Sequence, residues 1–518
     1  MFVGRSTVRG LNGAVASGQP LASLIGIDVL REGGNAADAT LAMAAALCVL
    51  EPLATGLGGD CFALVYFRRD KTMRALNASG PAIGSALDVW RARRRLPDRG
   101  IDSITVPGAA SGWHALHAEY CSMPLSRLLA PAIDLAEKGC VIMEKTARDW
   151  ARSAARLDEP ARTLYLPGGV APKAGQVVRS EPMARSLRML AHDGCESLYT
   201  GKLGASVLRN LQALGSPIEA ADMDRARAEW VEAVSRPYRD VVVHACPPNS
   251  QGITTLMALQ VLESFDLTAL RAQPDAYLHV LAEAVKLAME DRDARIADPV
   301  FAPLSTVGLL SREHAVVRRA LIRPDRARPA QLREHGRDTT CLAVFDRWGN
   351  SVSFMQSLYD EFGAGIVAGD TGLLLHNRAG GFCMEEGHPN YPAPGKRPFH
   401  TLSPAMLSRD GCVVLSFGVM GGHMQCQGQV QILARLLHDD KDLQAAIEAP
   451  RFMCLGDNAL ALDAGFGSEV RQQLAARGHV ISMGPAYLGG AQAVGWDPVL
   501  ETFFGASDPR KDGAALAF

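Results

Sequence analysis

The chain has 518 residues, 48% hydrophobic and 21% charged, which allows a large buried core and argues against overall disorder. Its 53 Lys and Arg stand against 55 Asp and Glu, and a formal charge of −2 offers no field for a polyanion or a membrane surface, so nucleic acid is a poor partner. Its 11 cysteines include no Cys-x-x-Cys pair, which argues against a disulfide framework or a zinc site; neither metal nor cofactor is expected.

The first residues, Met1-Phe2-Val3-Gly4-Arg5-Ser6, lack the charged leader and apolar stretch of a secretory signal, and the longest apolar run, Leu41 to Leu50, is roughly half a membrane span. A cytoplasmic protein with no membrane contact is expected. The spacing of Leu21, Leu24, Ile25, Ile27, Val29 and Leu30 predicts an amphipathic helix that stops at Gly33-Gly34. A second, Ala-rich helix follows from Asn35 through Leu50, and its small side chains suit close packing. Thr55-Gly56-Leu57-Gly58-Gly59-Asp60 is a glycine turn where backbone can approach a ligand, and Cys61 to Phe67 reads as a strand. From about Ser126 to Asp298 the period is mostly helical, including Pro274 to Arg295, and suggests an outer helical layer.

Between Arg323 and Asp338 that pattern ends: Pro324, Arg326, Arg328, Pro329, Arg333, Gly336 and Arg337 make a polar, proline-broken linker, read as mobile. Thr339 to Phe345, the turn Asp346-Arg347-Trp348-Gly349-Asn350 and Ser351 to Ser357 then form a hairpin signature. A strand over Val413 to Phe417 and a helix from about Gln427 to Leu437 complete a mixed α/β order without internal repeats.

The chemistry lies where the linker meets the hairpin. A threonine there can attack the preceding carbonyl, that of Asp338, in an N→O acyl shift; hydrolysis of the ester then frees Thr339 with a hydroxyl and an α-amine on one residue. An α-amine titrates near about 8, so close to neutrality it can take the hydroxyl proton and serve as the base. The alternative is that Thr339 and Thr340 simply open a strand, where β-branched residues are common.

Further segments bear on the choice. Val29-Leu30-Arg31-Glu32-Gly33-Gly34-Asn35-Ala36-Ala37-Asp38-Ala39, Gly56-Leu57-Gly58-Gly59, Val106-Pro107-Gly108, Thr339-Thr340, Phe362-Gly363, Lys396-Arg397-Pro398, Leu402-Ser403-Pro404, Gly421-Gly422, Ala449-Pro450-Arg451-Phe452 and Gly505 to Arg510 occur in that order. In this the chain resembles the γ-glutamyltransferase (glutathione hydrolase) family over nearly its whole length. The resemblance implies an α/β fold, a four-layer αββα Ntn-hydrolase sandwich with additional helices. It also implies a precursor cut into a large subunit, residues 1–338, and a small catalytic subunit, residues 339–518, which stay associated; a dimer of such pairs is a further option. Thr339 matches the family nucleophile. Ser357 matches a hydroxyl residue that orients it, and Gly421 and Gly422 match the pair whose N–H groups form the oxyanion hole, although a plain turn is the other reading of two glycines.

Where γ-glutamyl enzymes carry an arginine for the substrate carboxylate, this chain reads Leu76-Asn77-Ala78-Ser79-Gly80-Pro81, and where they carry an acid for the amine it reads Arg378-Ala379-Gly380-Gly381-Phe382. Their serine pair is His400-Thr401 and their asparagine is Tyr359. A γ-glutamyl amine is therefore poorly matched, and these positions resemble the oxamate amidohydrolase branch. Arg378 is expected to pair with a small substrate's carboxylate, with Tyr359, His400 and Thr401 beside it; a surface ion pair for Arg378 and a satisfied buried histidine for His400 are the alternatives. Cys341 is read as packing on the face of Thr339. Arg91, Arg93, Arg94, Arg95 and Arg99 form a solvated face or a rim that draws in acidic substrates. Glu283, Asp291 and Asp298 read as caps and ion pairs.

The leading expectation is an autoprocessing threonine amidohydrolase acting on a small, carboxylate-bearing amide. A γ-glutamyl hydrolase, transferase or related acylase is the alternative, and a non-catalytic homologue the third reading.

Overall fold

The computed structural model describes residues 4–518 except Arg94, Arg337, Asp440 and residues 485–487. Met1 to Val3, Arg94 of the arginine cluster and Arg337 of the linker therefore lie outside the described residues.

The two helices expected near the start form at Pro20–Arg31 and Ala36–Leu50. Asn35 caps the second: its side chain accepts from the N–H groups of Ala37 and Asp38, while Asp38 accepts from the N–H of Asn35 in return. Every residue of Ala36–Leu50 is buried, because its small alanines let it lie flat on a sheet.

That sheet has seven antiparallel strands, in the order Ala514–Ala517, Gly13–Ser17, Thr340–Asp346, Ser351–Ser357, Asp60–Phe67, Thr72–Ala78 and Glu229–Glu232. The predicted hairpin is its centre, with Thr340 opposite Gln356. Asp346 fastens the turn: its carboxylate accepts from the N–H of Trp348, Asn350 and Ala36, which ties the hairpin to the start of the buried helix.

A second antiparallel sheet runs Val8–Gly10, Thr502–Ser507, Gly490–Asp497, Cys412–Met420, Ala405–Arg409, Val241–Ala245 and Val234–Tyr238. Between the sheets lie Ala16, Phe62, Leu64, Cys341, Phe345, Met355, Met406 and Val494. Cys341 thus packs in the inter-sheet core. Helices Gly252–Leu262 and Met424–His438 cover the outer face of the second sheet, so the layers are αββα.

Two expectations need correction. The stretch 126–298 is not simply an outer helical layer: it also supplies Glu229–Glu232, Val234–Tyr238 and Val241–Ala245 to the sheets, and helix Gly252–Leu262 is buried throughout. Nor is the linker loose. Helix Pro274–Arg295 holds it: His279 Nε2 donates to Arg323 O at 2.7 Å, Lys286 Nζ donates to Arg328 O, and Asp293 accepts from the N–H of Arg333 at 2.7 Å. A segment outside the two large sheets must satisfy its backbone groups elsewhere, and this row of polar side chains does so together with backbone pairing of Ala327 with Arg477 and of Ala330 with Asp457. Glu283, Asp291 and Asp298 serve as read from sequence: Glu283 pairs with Lys286 at 2.5 Å, Asp291 with His314 and Arg318, and Asp298 accepts from the N–H of Val300 and Arg397. Among the described residues no helix is long and apolar enough to cross a membrane.

Candidate active site

Thr339 sits where the linker turns into the central strand Thr340–Asp346, and it is fully buried. Its hydroxyl donates to the carbonyl oxygen of Asp338 at 2.6 Å and accepts from Gln425 Nε2 at 3.1 Å. Gln425 is aimed by its own carbonyl, which accepts from the N–H and the hydroxyl of Ser403. Ser357 closes the partner strand Ser351–Ser357, and its hydroxyl donates to the same Asp338 oxygen at 2.9 Å. That direction is fixed, because the Ser357 oxygen already accepts from the N–H of Tyr359 at 2.7 Å and from Arg378 Nη2 at 3.4 Å. Two hydroxyls therefore converge on one peptide carbonyl, that of the Asp338-Thr339 bond.

Arg378 is wholly buried rather than a surface ion pair. Its Nη1 donates to Thr401 Oγ1 at 3.3 Å, Nη2 reaches Ser357, Nε lies 3.5 Å from Asp60 Oδ2, and the guanidinium stands 4.5 Å from the centre of the Tyr359 ring. Tyr359 is held in turn by donation from its hydroxyl to Gly380 O at 3.1 Å.

His400 is placed behind this layer. Its Nε2 donates to Asp60 Oδ2 at 3.2 Å and its Nδ1 accepts from the N–H of Leu402, and burial pushes its pKa far below the ordinary histidine range, so it is a neutral imidazole.

Asp60 is the member that sequence reasoning missed. It ends the glycine turn, where Gly59 is required because a Cβ there would stand 2.4 Å from Ser357 O. The Asp60 carboxylate accepts from the N–H of Gly80 at 2.9 Å and Gly108 at 3.0 Å, and it is the carboxylate facing Arg378. Burial raises its pKa to about 6, against the lowering influence of Arg378 and the two N–H donors. The available signal was an acid placed directly after a glycine turn. Gln425 carried no such signal.

Gly421 and Gly422 follow strand Cys412–Met420 at left-handed φ of 103° and 48°. Among the described residues neither N–H has a hydrogen-bond acceptor. Gly422 is pressed by the linker: a Cβ there would stand 1.9 Å from Gly336 O. Beside the pair opens a cleft of about 560 Å³ whose wall includes Tyr359, Gly380, Gly421 and the linker residues Glu334, His335 and Gly336. Its lip at Leu96 to Asp98 adjoins the exposed Arg91, Arg93, Arg95 and Arg99.

The other side of the Asp338-Thr339 bond is lined by charged side chains. Asp338 Oδ1 accepts from the N–H of Thr339 at 2.9 Å and lies 3.4 Å from Lys511 Nζ. Burial raises the Asp338 pKa to about 6 and that of nearby Glu51 to about 8.

The family model described as Gamma-glutamyltranspeptidase matches residues 22–518. The Glutathione hydrolase-like YwrD proenzyme of Bacillus subtilis (strain 168) is 38% identical over 98% of this chain and 99% of its own length. The Oxamate amidohydrolase proenzyme of Klebsiella pneumoniae subsp. pneumoniae is 33% identical over 98% of both chains. The crystal structure of cephalosporin acylase from Bacillus halodurans superposes with a TM-score of 0.95 at 35% identity, covering 100% of this chain and 98% of that one.

Proposed function

Because the chain belongs to the gamma-glutamyltranspeptidase family, we propose that it is a precursor that cuts itself between Asp338 and Thr339 and then uses Thr339 to hydrolyse an amide whose acyl part bears a carboxylate. As an Ntn-type amide hydrolase it needs a nucleophile, a base and an oxyanion site. The observation that carries this reading is the convergence of the Thr339 and Ser357 hydroxyls on Asp338 O.

Attack of Thr339 Oγ1 on that carbonyl forms an ester, and water releases residues 1–338 from 339–518. The two parts stay together, since strands from both alternate in one sheet. Once the bond is cut, the end of the linker can leave Gly422, which frees the N–H groups of Gly421 and Gly422 to serve as oxyanion donors. The freed α-amine of Thr339 takes the hydroxyl proton, the acyl group passes to Thr339, and water removes it.

For the acyl group, Arg378 supplies a buried cation beside Ser357 and Thr401, where a small carboxylate binds in two-pronged fashion. Oxamate is the proposed test substrate of this class, and the relative of that name shares 33% identity. A second reading, an acylase with a large leaving group, is favoured by the cleft itself. About 560 Å³ walled by Met424, Met453, Leu455 and Met483 exceeds the needs of a ligand as small as oxamate. A cytoplasmic location belongs to the same proposal, supported by 11 cysteines that are all free thiols.

Intact-mass analysis of purified protein should show a fragment beginning at Thr339. A whole and fully active chain, or an active Thr339→Ala variant, sinks the mechanism; a wild-type chain that stays whole and inactive supports a non-catalytic role. Ammonia release from oxamate is then compared with turnover of γ-glutamyl-p-nitroanilide and of a cephalosporin-type amide. Equal or better turnover of the γ-glutamyl compound defeats the Arg378 argument.

A further inference from the structure

The N→O shift proposed above leaves one demand unmet. When the C–N bond of the Asp338-Thr339 peptide breaks, the nitrogen must gain a proton, because an amide anion is too basic to leave unaided. None of the groups on the hydroxyl side supplies it: Ser357 and Gln425 are directed at oxygens, and Arg378 is occupied by Ser357, Thr401 and Asp60.

The other side of the bond is different. The Asp338 side chain folds back along its own backbone, so that Oδ1 lies 2.9 Å from the nitrogen of Thr339. It is 5% exposed and enclosed by charged groups from several elements. Lys511, from the segment before the last strand, stands 3.4 Å from Oδ1 and 3.8 Å from Asp149 Oδ2. Asp149 and Arg152 come from helix Glu144–Ser153, with Arg152 donating to Asp149 at 2.9 Å and to Glu361 at 2.5 Å. Glu51, at the end of helix Ala36–Leu50, lines the same small cavity with Lys145, Asp149, Asp512 and Lys511. Asp512 accepts from the N–H groups of Lys145 and Thr146, and Lys145 Nζ donates to Lys511 O at 3.1 Å.

We propose that the side chain of Asp338 is the general acid of its own excision, delivering a proton to the departing nitrogen of Thr339. The step rests on the reading that Thr339 is the attacking residue. It balances within the site: the Oγ1–C bond to Asp338 forms, the C–N bond breaks, the nitrogen takes the carboxyl proton, and the proton lost from Oγ1 restores the carboxyl. As the carbonyl becomes tetrahedral the nitrogen pyramidalises and acquires a lone pair, and the Asp338 carboxyl, whose Oδ1 accepts the N–H of that nitrogen at 2.9 Å, is in place to protonate it. Burial supports the role by keeping the carboxyl protonated up to about 6, while Lys511 opposes this by favouring the charged form. The residue is needed once, since it ends up on the released C-terminus.

The test is a time course of cleavage of chain made by cell-free synthesis at fixed pH between 5 and 9, with the Thr339 fragment identified by mass. The wild-type rate should fall about tenfold per pH unit above about 6. Asp338→Asn should cut on the order of 10²-fold more slowly and lose that falling limb. Asp338→Glu should restore part of the rate and the limb. Lys511→Met should move the limb to higher pH, because removing the lysine raises the Asp338 pKa, a shift that a purely structural role for either residue does not produce. Asp338→Asn cutting at the wild-type rate with an unchanged pH profile overturns the proposal. So does full rescue of Asp338→Asn by hydroxylamine, which cleaves an ester already formed and so places the defect after the shift. A wild-type chain that is never cut before Thr339 instead overturns the reading on which this one rests.

Discussion

Removing the Ser357 hydroxyl should slow self-cleavage by two to three orders of magnitude while leaving a folded precursor. The oxygen accepts from the N–H of Tyr359 and from Arg378, so its single proton has one destination, Asp338 O at 2.9 Å. During attack that oxygen becomes an oxyanion in a site without bulk water, and loss of one preorganised donor typically costs about 2.7–4 kcal/mol, or roughly 10²–10³ in rate. Ser357→Ala also leaves the buried N–H of Tyr359 without its acceptor, a stability cost of roughly 1–3 kcal/mol that a protein of this size should survive. Ser357→Thr keeps the hydroxyl and should cut within about tenfold of the wild-type rate. Conversion of whole chain to the two fragments, followed on gels from cell-free synthesis, gives the rates, and thermal melting of the whole variant checks its fold. Ser357→Ala cutting as fast as wild type, with a normal melt, would falsify the assignment of Ser357 as an oxyanion donor.

Arg378→Lys keeps the charge but loses the two-pronged reach to Ser357 and Thr401; kcat/KM for a carboxylate-bearing amide should fall at least about tenfold, chiefly through KM, and an unchanged KM excludes Arg378 as the carboxylate anchor. Asp60→Asn strands a buried guanidinium, so the whole chain should lose about 3–5 kcal/mol, read as a lower urea midpoint in the Thr339→Ala background; an unaltered midpoint shows that Arg378 does not depend on Asp60. Glu51 has a folded pKa of about 8, above its unfolded value, so its contribution is fully present below the unfolded pKa near 4.5 and is lost as pH rises through the folded one. Glu51→Gln in the same background should therefore gain on its parent by roughly 1.4 kcal/mol per pH unit between about 5 and 8; a difference that does not change with pH refutes this.

What could be read from the sequence was whatever the chain decides locally. A helix opening near Asn35, Gly33-Gly34 as its predecessor's end, and two strand-like runs flanking Asp346 to Asn350 as a hairpin all form as read. The strands Glu229–Glu232 and Val234–Tyr238 escaped because both are edge strands. Their half-exposed faces carry Glu229, Glu232 and Arg236, and Pro237 sits in one of them, a residue an edge tolerates and a central strand does not. The linker read as mobile because its composition is polar and proline-broken, yet the groups that hold it, His279, Lys286 and Asp293, lie on a helix 40 to 44 residues before the linker residues they bind. Thr339, Ser357, Gly421 and Gly422 were singled out through family resemblance alone, and the fold sets Thr339 directly before one strand and Ser357 at the end of its neighbour. Asp60, Gln425 and Lys511 were not, since each has its role only through a partner distant in sequence.

In the acyl site proposed above, the Arg378 and Asp60 pair cannot be altered one residue at a time. A buried guanidinium stays charged and requires a counter-charge; Asp60 provides it, anchored by the N–H groups of Gly80 and Gly108 and by His400. Placing an acid at position 378, as a γ-glutamyl amine requires, sets two carboxylates against each other in a dry site with no cation between them. One of them must then take up a proton, and the amine loses the partner meant for it. Arg378→Asp alone should therefore give an enzyme that acts on neither substrate class. Arg378→Asp combined with Asp60→Gly, which leaves a single carboxylate and makes room beside the glycine turn, is the smallest change from which γ-glutamyl turnover should emerge. Appearance of that activity in the single variant would mean that Asp60 is not coupled to Arg378 and that the site recognises its substrate by other groups.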